Sequence, residues 1–230
     1  MNGARRRELS VVDYGSVKRS DLTARDATRS SSNAALEYEI TGAPRRLDRD
    51  AFNRPTIRVA RDLLGKFIVR ASRGGLLSAM ITEVEAYIGP KDRASHARGG
   101  RRTARVEPLY GDGGTVYVYF VYGMHWLLNF STAGRERPEG VLVRAIVADP
   151  AGERRLVAGP ARVTRYLEVD KRLDGVDATV SKELWLEDRG VRVPARRVRT
   201  GPRVGVDYAG PFWAAKPWRF WVNVAAREAT

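Results

Sequence analysis

The sequence predicts an α+β fold, in which a single domain is built on an antiparallel sheet with flanking helices. Its 230 residues are a length typical of one domain with a sizeable core. Short β-rich runs are joined by hairpin turn signals at Gly74-Gly75 and Gly123-Met124. Helix signals stand between groups of these runs, at Pro55 and at Gly159-Pro160. Strands that are connected mostly by hairpins indicate an antiparallel sheet.

The first predicted helix starts near Pro55, has apolar residues at helical spacing and ends before Gly65, which suits the C′ position. The second helix begins at Gly159-Pro160 and runs to Leu167. The predicted strands cover residues 67–70, 76–87, 115–122, 126–131, 141–147, 184–186, 204–206 and 219–222.

Two segments fall outside this pattern. Residues 1–45 have no sustained periodicity and are predicted to form a disordered tail, which leaves residues 46–230 as the domain. Residues 89–114 are rich in Gly, Pro and Arg and are predicted to form a long loop. Loops of this length are uncommon unless they carry function, so this loop is a candidate part of a functional site.

The chain is strongly basic, with a formal net charge of +14 and a pI of about 10.6. This excess favours an anionic partner, with nucleic acid first and an acidic membrane surface second. The alternative is a protein from an organism that uses arginine heavily. No apolar run approaches the roughly 20 residues of a membrane span, and no apolar segment follows Arg5, Arg6 and Arg7. We therefore expect a cytoplasmic protein without membrane contact.

Composition also excludes several kinds of site. The chain has no cysteine, so disulfides, cysteine zinc sites and cysteine-held iron–sulfur clusters are ruled out. Its two histidines, His96 and His125, are too few for a typical histidine-rich metal centre. Carboxylates could still hold magnesium.

The candidate reactive group is Glu85, which stands near the end of an apolar strand. Because side chains alternate along a strand, we expect Glu83, Glu85 and Tyr87 to share one face. Arg144 interrupts an apolar strand, where a charge is costly without a partner. A Glu–Arg pair can be purely structural. It can equally keep the Glu85 carboxylate ionised and able to accept a proton from water.

Tyr87, His96 and Tyr119 are candidates to line a pocket, although tyrosines in strands more often pack in a core. Tyrosine faces stack on nucleic-acid bases and attract cationic rings. Tyr122 stands beside Gly123 at a predicted hairpin tip, a position suited to a wedge between base pairs. The chain also has three runs of arginines, within residues 98–105, 154–165 and 189–199. Together with these runs, the aromatic residues suggest chemistry on a base of a nucleic acid.

Several long motifs occur in a fixed order. They are Glu83-Val-Glu85-Ala-Tyr87-Ile-Gly-Pro90, Ser95-His96-Ala-Arg98-Gly-Gly100, Tyr117-Val-Tyr119-Phe-Val-Tyr122-Gly-Met124, Asn129, Gly140-Val-Leu-Val-Arg144-Ala, Gly159-Pro160, Arg203-Val-Gly-Val206 and Lys216-Pro-Trp-Arg-Phe220. In these motifs the chain resembles the alkyladenine (3-methylpurine) DNA glycosylase family of base-excision repair, over roughly residues 47–225. It departs from the family at Val106, where the family usually has Asn.

The resemblance implies a curved antiparallel sheet and a protruding β-hairpin that inserts into DNA. It implies that Glu85 activates water for attack at C1′ of the sugar and that Arg144 positions that carboxylate. Tyr87, His96 and Tyr119 would sandwich a flipped purine. The remaining implied roles fall to Tyr122, which would fill the gap in the duplex, and to Asn129, which would reject guanine.

The partner implied by the resemblance is double-stranded DNA that contains damaged purines, so the cytoplasmic protein would associate with the nucleoid. The residues expected to contact the DNA backbone are Arg98, Arg101, Arg162 and Arg203. No metal or organic cofactor is expected, and we expect a monomer. The predicted activity is that of a monofunctional glycosylase, which hydrolyses the N-glycosidic bond of alkylated purines and leaves an abasic site, with deaminated purines as further candidate substrates. The alternatives are a non-catalytic damage sensor and an RNA-binding protein.

Overall fold

Eleven strands and three short α-helices form the described part of the chain, residues 35–149 and 153–228 of a computed structural model. The strands are β1 (Arg45–Arg46), β2 (Phe67–Ser72), β3 (Gly75–Tyr87), β4 (Val116–Val121), β5 (His125–Thr132), β6 (Glu139–Ala148), β7 (Arg155–Ala158), β8 (Leu184–Asp188), β9 (Arg199–Gly201), β10 (Arg219–Trp221) and β11 (Arg227–Glu228). The helices are α1 (Thr56–Leu63), α2 (Pro160–Tyr166) and α3 (Pro211–Ala214).

The strands form one curved sheet with the long strand β3 at its centre. One edge of β3 pairs with β6, and the other edge pairs first with β2 and then with β10. The sheet continues from β6 to β5 and β4, and from β2 to β8 and β1. These pairings are antiparallel, which confirms the predicted sheet type, whereas β11 pairs with β7 in parallel.

A β-bulge interrupts the pairing of β3 with β6. The register shifts between Ile81 and Val84, so that Thr82 on β3 and Arg144 on β6 have no direct partner across the ladder. A bulge bends a strand, increases its local twist and redirects side chains. It therefore contributes to the curvature of the sheet at the position where Arg144 leaves the ladder.

The bulge also changes which side chains of β3 face the core. Ala79 and Ile81 belong to the main hydrophobic core before the bulge, and Val84 and Ala86 belong to it afterwards. Helices α1 and α2 pack against the central strands. The odd-numbered residues of β3 from position 83 onward consequently lie on the face opposite this core.

Most predicted elements are present, with ends that differ by a few residues. The strand predicted over residues 204–206 is wrong, because the chain there forms turns and the nearby strand is β9. Strands β1, β7, β9 and β11 were not predicted. They have two to four residues each, too few for an alternating pattern to stand out.

The predicted tail lies mostly outside the described residues, since no residue before 35 is described. Leu36 and Tyr38 are buried against Phe67 and Met80 and form a small second core. The folded domain therefore includes residues before the predicted boundary at residue 46. Within the described residues, no helix has the length and apolar character that crossing a bilayer requires.

Candidate active site

Glu85 is the buried carboxylate at the centre of the candidate site. It lies on β3 between β10 and β6, and its relative exposure is 0%. Its Oε1 accepts a hydrogen bond from the Val204 amide at 2.7 Å and lies 3.3 Å from Arg144 Nε. Its Oε2 accepts a hydrogen bond from the Tyr87 hydroxyl at 2.9 Å. These donors replace the water that a carboxylate loses on burial.

Arg144 is shared between two carboxylates. Its Nε donates to Glu83 Oε1 at 3.1 Å, a distance slightly shorter than that to Glu85. Arg219 lies beyond Glu83, with its Nη1 3.6 Å from Glu83 Oε1. Two arginines and two glutamates therefore alternate along one face of the sheet and balance each other's charge. The bulge contributes to this arrangement, because Arg144 has no partner across the ladder there and its side chain departs from the regular alternation of β6.

Burial raises the pKa of the Glu85 carboxyl above its ordinary value. The Arg144 guanidinium, the Val204 amide and the Tyr87 hydroxyl act in the opposite direction, because each of them stabilises the ionised form. A carboxylate whose pKa lies nearer to neutral pH is a better acceptor of a proton from water. The environment of Glu85 therefore suits a general base.

An aromatic cavity adjoins Glu85 through Tyr87, which lines the cavity and also donates to the carboxylate. The lining residues are Tyr87, Ala94, Ser95, His96, Leu109, Tyr117, Tyr119, Asn129, Gly140 and Tyr208. The four predicted pocket residues, Tyr87, His96, Tyr119 and Asn129, thus lie together. Asn129 is buried and its Nδ2 donates to the Tyr117 carbonyl at 3.1 Å.

The aromatic cavity is small in this structure, with a volume of about 50 Å³. The His96 and Tyr119 rings meet edge to face with their centroids 4.5 Å apart. A flat ring stacked between two others requires the outer rings to be roughly 7 Å apart, twice the van der Waals distance. His96 and Tyr119 are therefore too close together for a ring to lie between these two, so a purine held by Tyr87, His96 and Tyr119 would have both of them on the same side.

His96 is held in its neutral form. Its Nδ1 lies 2.8 Å from the Tyr117 hydroxyl. Burial, together with the positive charges of Arg105, Arg98 and Arg101, lowers the pKa of His96 to about 4. A neutral imidazole adds no positive charge to the cavity at pH 7, so it does not repel a cationic ring.

The β4–β5 hairpin ends in an exposed aromatic with a strained backbone. Tyr122 is 85% exposed and has a φ of 52°, in the left-handed region that bulky residues avoid. Gly123 follows with a φ of 68°, as in a tight hairpin turn. Met124 beside them is 67% exposed. Backbone strain of this kind, roughly 1–3 kcal/mol, is typical of functional sites.

The predicted long loop is ordered by a buried ion pair. It contains three turns of 3-10 helix, Gly89–Lys91, Arg98–Gly100 and Glu107–Tyr110. Asp92 accepts hydrogen bonds from the Ile88 and Ala94 amides and from both terminal nitrogens of Arg203. The side chains of Asp92 and Arg203 are both fully buried.

This burial means that the predicted contact between Arg203 and the DNA backbone is wrong. The Arg203 side chain has no exposed surface, and its charge is already paired with Asp92. Its guanidinium also lies over the rings of Tyr87 and Trp218, at 4.7 and 5.0 Å from their centroids. Arg203 therefore supports a wall of the aromatic cavity from behind.

The other three cations proposed for the DNA backbone, Arg98, Arg101 and Arg162, are exposed. No carboxylate lies within ion-pair distance of these three side chains among the described residues. Arg102 in the same loop differs, because Glu107 and Glu136 neutralise it.

Sequence reasoning missed the two other aromatic residues of the cavity, Tyr117 and Tyr208. Tyr117 contacts His96 and lies on the same strand face as Tyr119, so alternation along β4 was a signal that could have identified it. Tyr208 comes from a turn far away in the chain, and no local pattern marks it. Val106, where the related family usually has Asn, is buried and packs with Leu109 and Tyr117 beneath the cavity.

No group of three or more Asp, Glu or His side chains among residues 35–149 and 153–228 is arranged to hold a metal ion. The carboxylates of the site, Glu83 and Glu85, are engaged by arginines instead.

Comparison with known proteins identifies the family. Residues 50–226 match the family described as Methylpurine-DNA glycosylase. A relative from Streptomyces avermitilis is 45% identical over 77% of this chain and 87% of its own length. Relatives from Desulfitobacterium hafniense and Clostridium perfringens strain 13 are 39% and 37% identical, over 78% and 77% of this chain and 96% of their own lengths. All three are named "Putative 3-methyladenine DNA glycosylase". The chain belongs to the methylpurine-DNA glycosylase family.

Proposed function

We propose that this protein is a DNA glycosylase of base-excision repair that acts on alkylated purines. The observation that carries the proposal is the buried Glu85–Arg144 pair next to an aromatic cavity, in a chain of the methylpurine-DNA glycosylase family. The carboxylate supplies a general base, and the aromatic walls favour a flat, electron-poor ring. The net charge of +14 supports a polyanionic partner.

The proposed reaction is hydrolysis of the bond between C1′ of the sugar and the purine nitrogen. The water oxygen forms the new bond to C1′, and its proton passes to Glu85. The electrons of the broken bond stay with the purine, so a cationic alkylated purine leaves as a neutral base. Arg144 holds the carboxylate in place, and the ionised carboxylate stabilises the positive charge that develops on the sugar.

The base would reach the cavity by flipping out of the duplex. Flipping costs a few kcal/mol and is easiest for damaged pairs, which adds selectivity. We propose that Tyr122 at the tip of the β4–β5 hairpin fills the space that the base leaves. Its 85% exposure and its left-handed backbone support this role, because a solvated tip gains nothing from a strained aromatic.

We propose that Asn129 acts from the cavity wall against guanine, and that the enzyme is monofunctional. A lyase needs an amine nucleophile in the pocket, and no lysine lines the aromatic cavity. Treatment with borohydride during turnover should therefore trap no covalent enzyme–DNA adduct. Detection of such an adduct would refute the monofunctional assignment.

The activity is tested with duplex oligonucleotides that carry one hypoxanthine or ethenoadenine, and with methylated genomic DNA. We expect wild type to release the bases and Glu85→Gln to be slower by at least about 100-fold, with lesion binding retained. Glu153→Gln is a matched control, since its carboxylate is exposed and pairs only with Arg155 among the described residues. If wild type binds the lesion duplex but releases no base from any of these substrates, the protein is instead a damage sensor.

A further inference from the structure

A second recess lies beside the aromatic cavity and shares Tyr208 with it. It has a volume of about 640 Å³ and is lined by Pro90, Lys91, Arg93, Arg98, Gly99 and Tyr208. We call it the basic recess. None of the predicted roles includes Lys91, Arg93 or Tyr208.

The charge of the basic recess is uncompensated. Lys91, Arg93 and Arg98 are exposed, and no carboxylate lies within ion-pair distance of them among the described residues. The neighbouring carboxylate, Asp92, is buried and fully used by Arg203. Three like charges around one recess repel each other, and an anion that binds there relieves this repulsion.

The chain between these cations fixes where they point. Asp92 and Ala94 are buried, so Lys91 and Arg93, which alternate with them, are directed outward. The buried pair between Asp92 and Arg203 makes this arrangement rigid. Lys91 and Arg93 are therefore held by an ordered segment, in a recess that adjoins the aromatic cavity through Tyr208.

Tyr208 adds an oriented aromatic face. It is 63% exposed, an unusual state for a large aromatic, yet its hydroxyl donates to the Ala94 carbonyl at 3.0 Å. Buried Val206 and Ala209 anchor its turn against Ala94. One end of the ring is fixed while its face remains available for stacking.

We propose that the basic recess binds the nucleotide next to the one held in the aromatic cavity. Its phosphates pair with Lys91, Arg93 and Arg98, and its base or sugar packs on Tyr208. This proposal rests on the proposed function, because it places a neighbouring nucleotide of the same strand. Phosphate pairing and ring stacking together are the usual means of holding single nucleotides without reading their sequence.

The test uses a duplex that contains a tetrahydrofuran analogue of the abasic site. It has no base to enter the aromatic cavity and is not turned over, so binding reports on the surroundings of the flipped position. The equilibrium constant is measured as a function of salt concentration. Its logarithmic slope decreases in magnitude by about 0.9 for each phosphate contact that is lost.

We expect the double variant Lys91→Gln/Arg93→Gln to reduce this slope by about 1.8. The matched control is Arg73→Gln/Lys182→Gln, which changes the net charge equally. Both of its residues are exposed and lie at the end of β2 and β3 remote from Glu85. The control should leave the slope nearly unchanged, and equal changes in the two double variants would overturn the proposal.

Tyr208→Ala should weaken binding to the same duplex by roughly 5- to 100-fold, while Tyr208→Phe, which keeps the ring, should retain most of the affinity. Unchanged affinity of Tyr208→Ala would overturn the stacking role. Base release by wild type is measured separately. If wild type releases bases but the recess variants bind the duplex as wild type does, this proposal alone is overturned. If wild type neither releases bases nor binds the duplex, the proposed function itself is overturned.

Discussion

Arg203→Met tests whether the buried ion pair, rather than DNA, is the partner of this arginine. The substitution keeps an unbranched side chain of similar length but leaves the Asp92 carboxylate buried without its two guanidinium donors. Breaking one side of a buried pair costs about 3–5 kcal/mol. At roughly 2–4 °C per kcal/mol for a domain of this size, the melting temperature should fall by about 6–20 °C.

The Arg203→Met substitution should also disturb the active site. Val204, the next residue, donates its amide to Glu85, and the Arg203 guanidinium lies over the Tyr87 ring. Loosening this segment should lower kcat at temperatures where the variant is still folded. The measurements are thermal unfolding followed by circular dichroism and single-turnover base release at 15 °C.

Arg101→Met provides the control, because Arg101 is exposed and has no carboxylate within ion-pair distance among the described residues. It should melt like wild type and reduce the salt slope of DNA binding by about 0.9, as expected for one lost phosphate contact. The reasoning is refuted if Arg203→Met melts like wild type and loses salt dependence instead. That result would make Arg203 a phosphate contact after all.

Three further outcomes are expected. Tyr122→Asn, which tolerates the left-handed backbone, should keep the stability of wild type but weaken binding to a lesion duplex more than to a single strand; equal losses would remove the wedge role. Tyr87→Phe removes a donor to Glu85 and so raises the pKa of Glu85 further, which should move the acid limb of the kcat/KM profile to higher pH. His96 has a pKa of about 4 when folded and about 6.5 when unfolded, so wild type should lose stability as the pH falls through this window. Urea unfolding of His96→Asn should show a shallower loss, and identical pH dependence would contradict the buried neutral state.

Local patterns predicted the parts of the fold that depend on neighbours in the chain. The helix after Pro55 and the long strand that ends at Tyr87 are both present, because periodicity records which face of an element is buried. The pairing of Glu85 with Arg144 was also foreseen, since a charge within an apolar strand needs a partner. The strand predicted over residues 204–206 failed, because a short apolar run fits a turn equally well.

The roles of arginines could not be separated by sequence. Arg203 and Arg101 look alike in a basic chain, yet one is fully buried and the other is exposed. What distinguishes them is Asp92, which lies more than a hundred positions away from Arg203 and meets it only in the folded chain. Charge alone therefore indicated an anionic partner but did not identify the side chains that are free to bind it.

The sequence by itself determined the antiparallel α+β architecture, the face shared by Glu83, Glu85 and Tyr87, and the family-specific motifs, because each of these is encoded over short stretches of chain. The tertiary structure alone decided the bulge that redirects Arg144, the small size of the aromatic cavity and the position of Tyr208 in its lining. These features depend on strand register and on contacts between distant segments. No local pattern records such contacts, since their free energy arises only when the segments pack together.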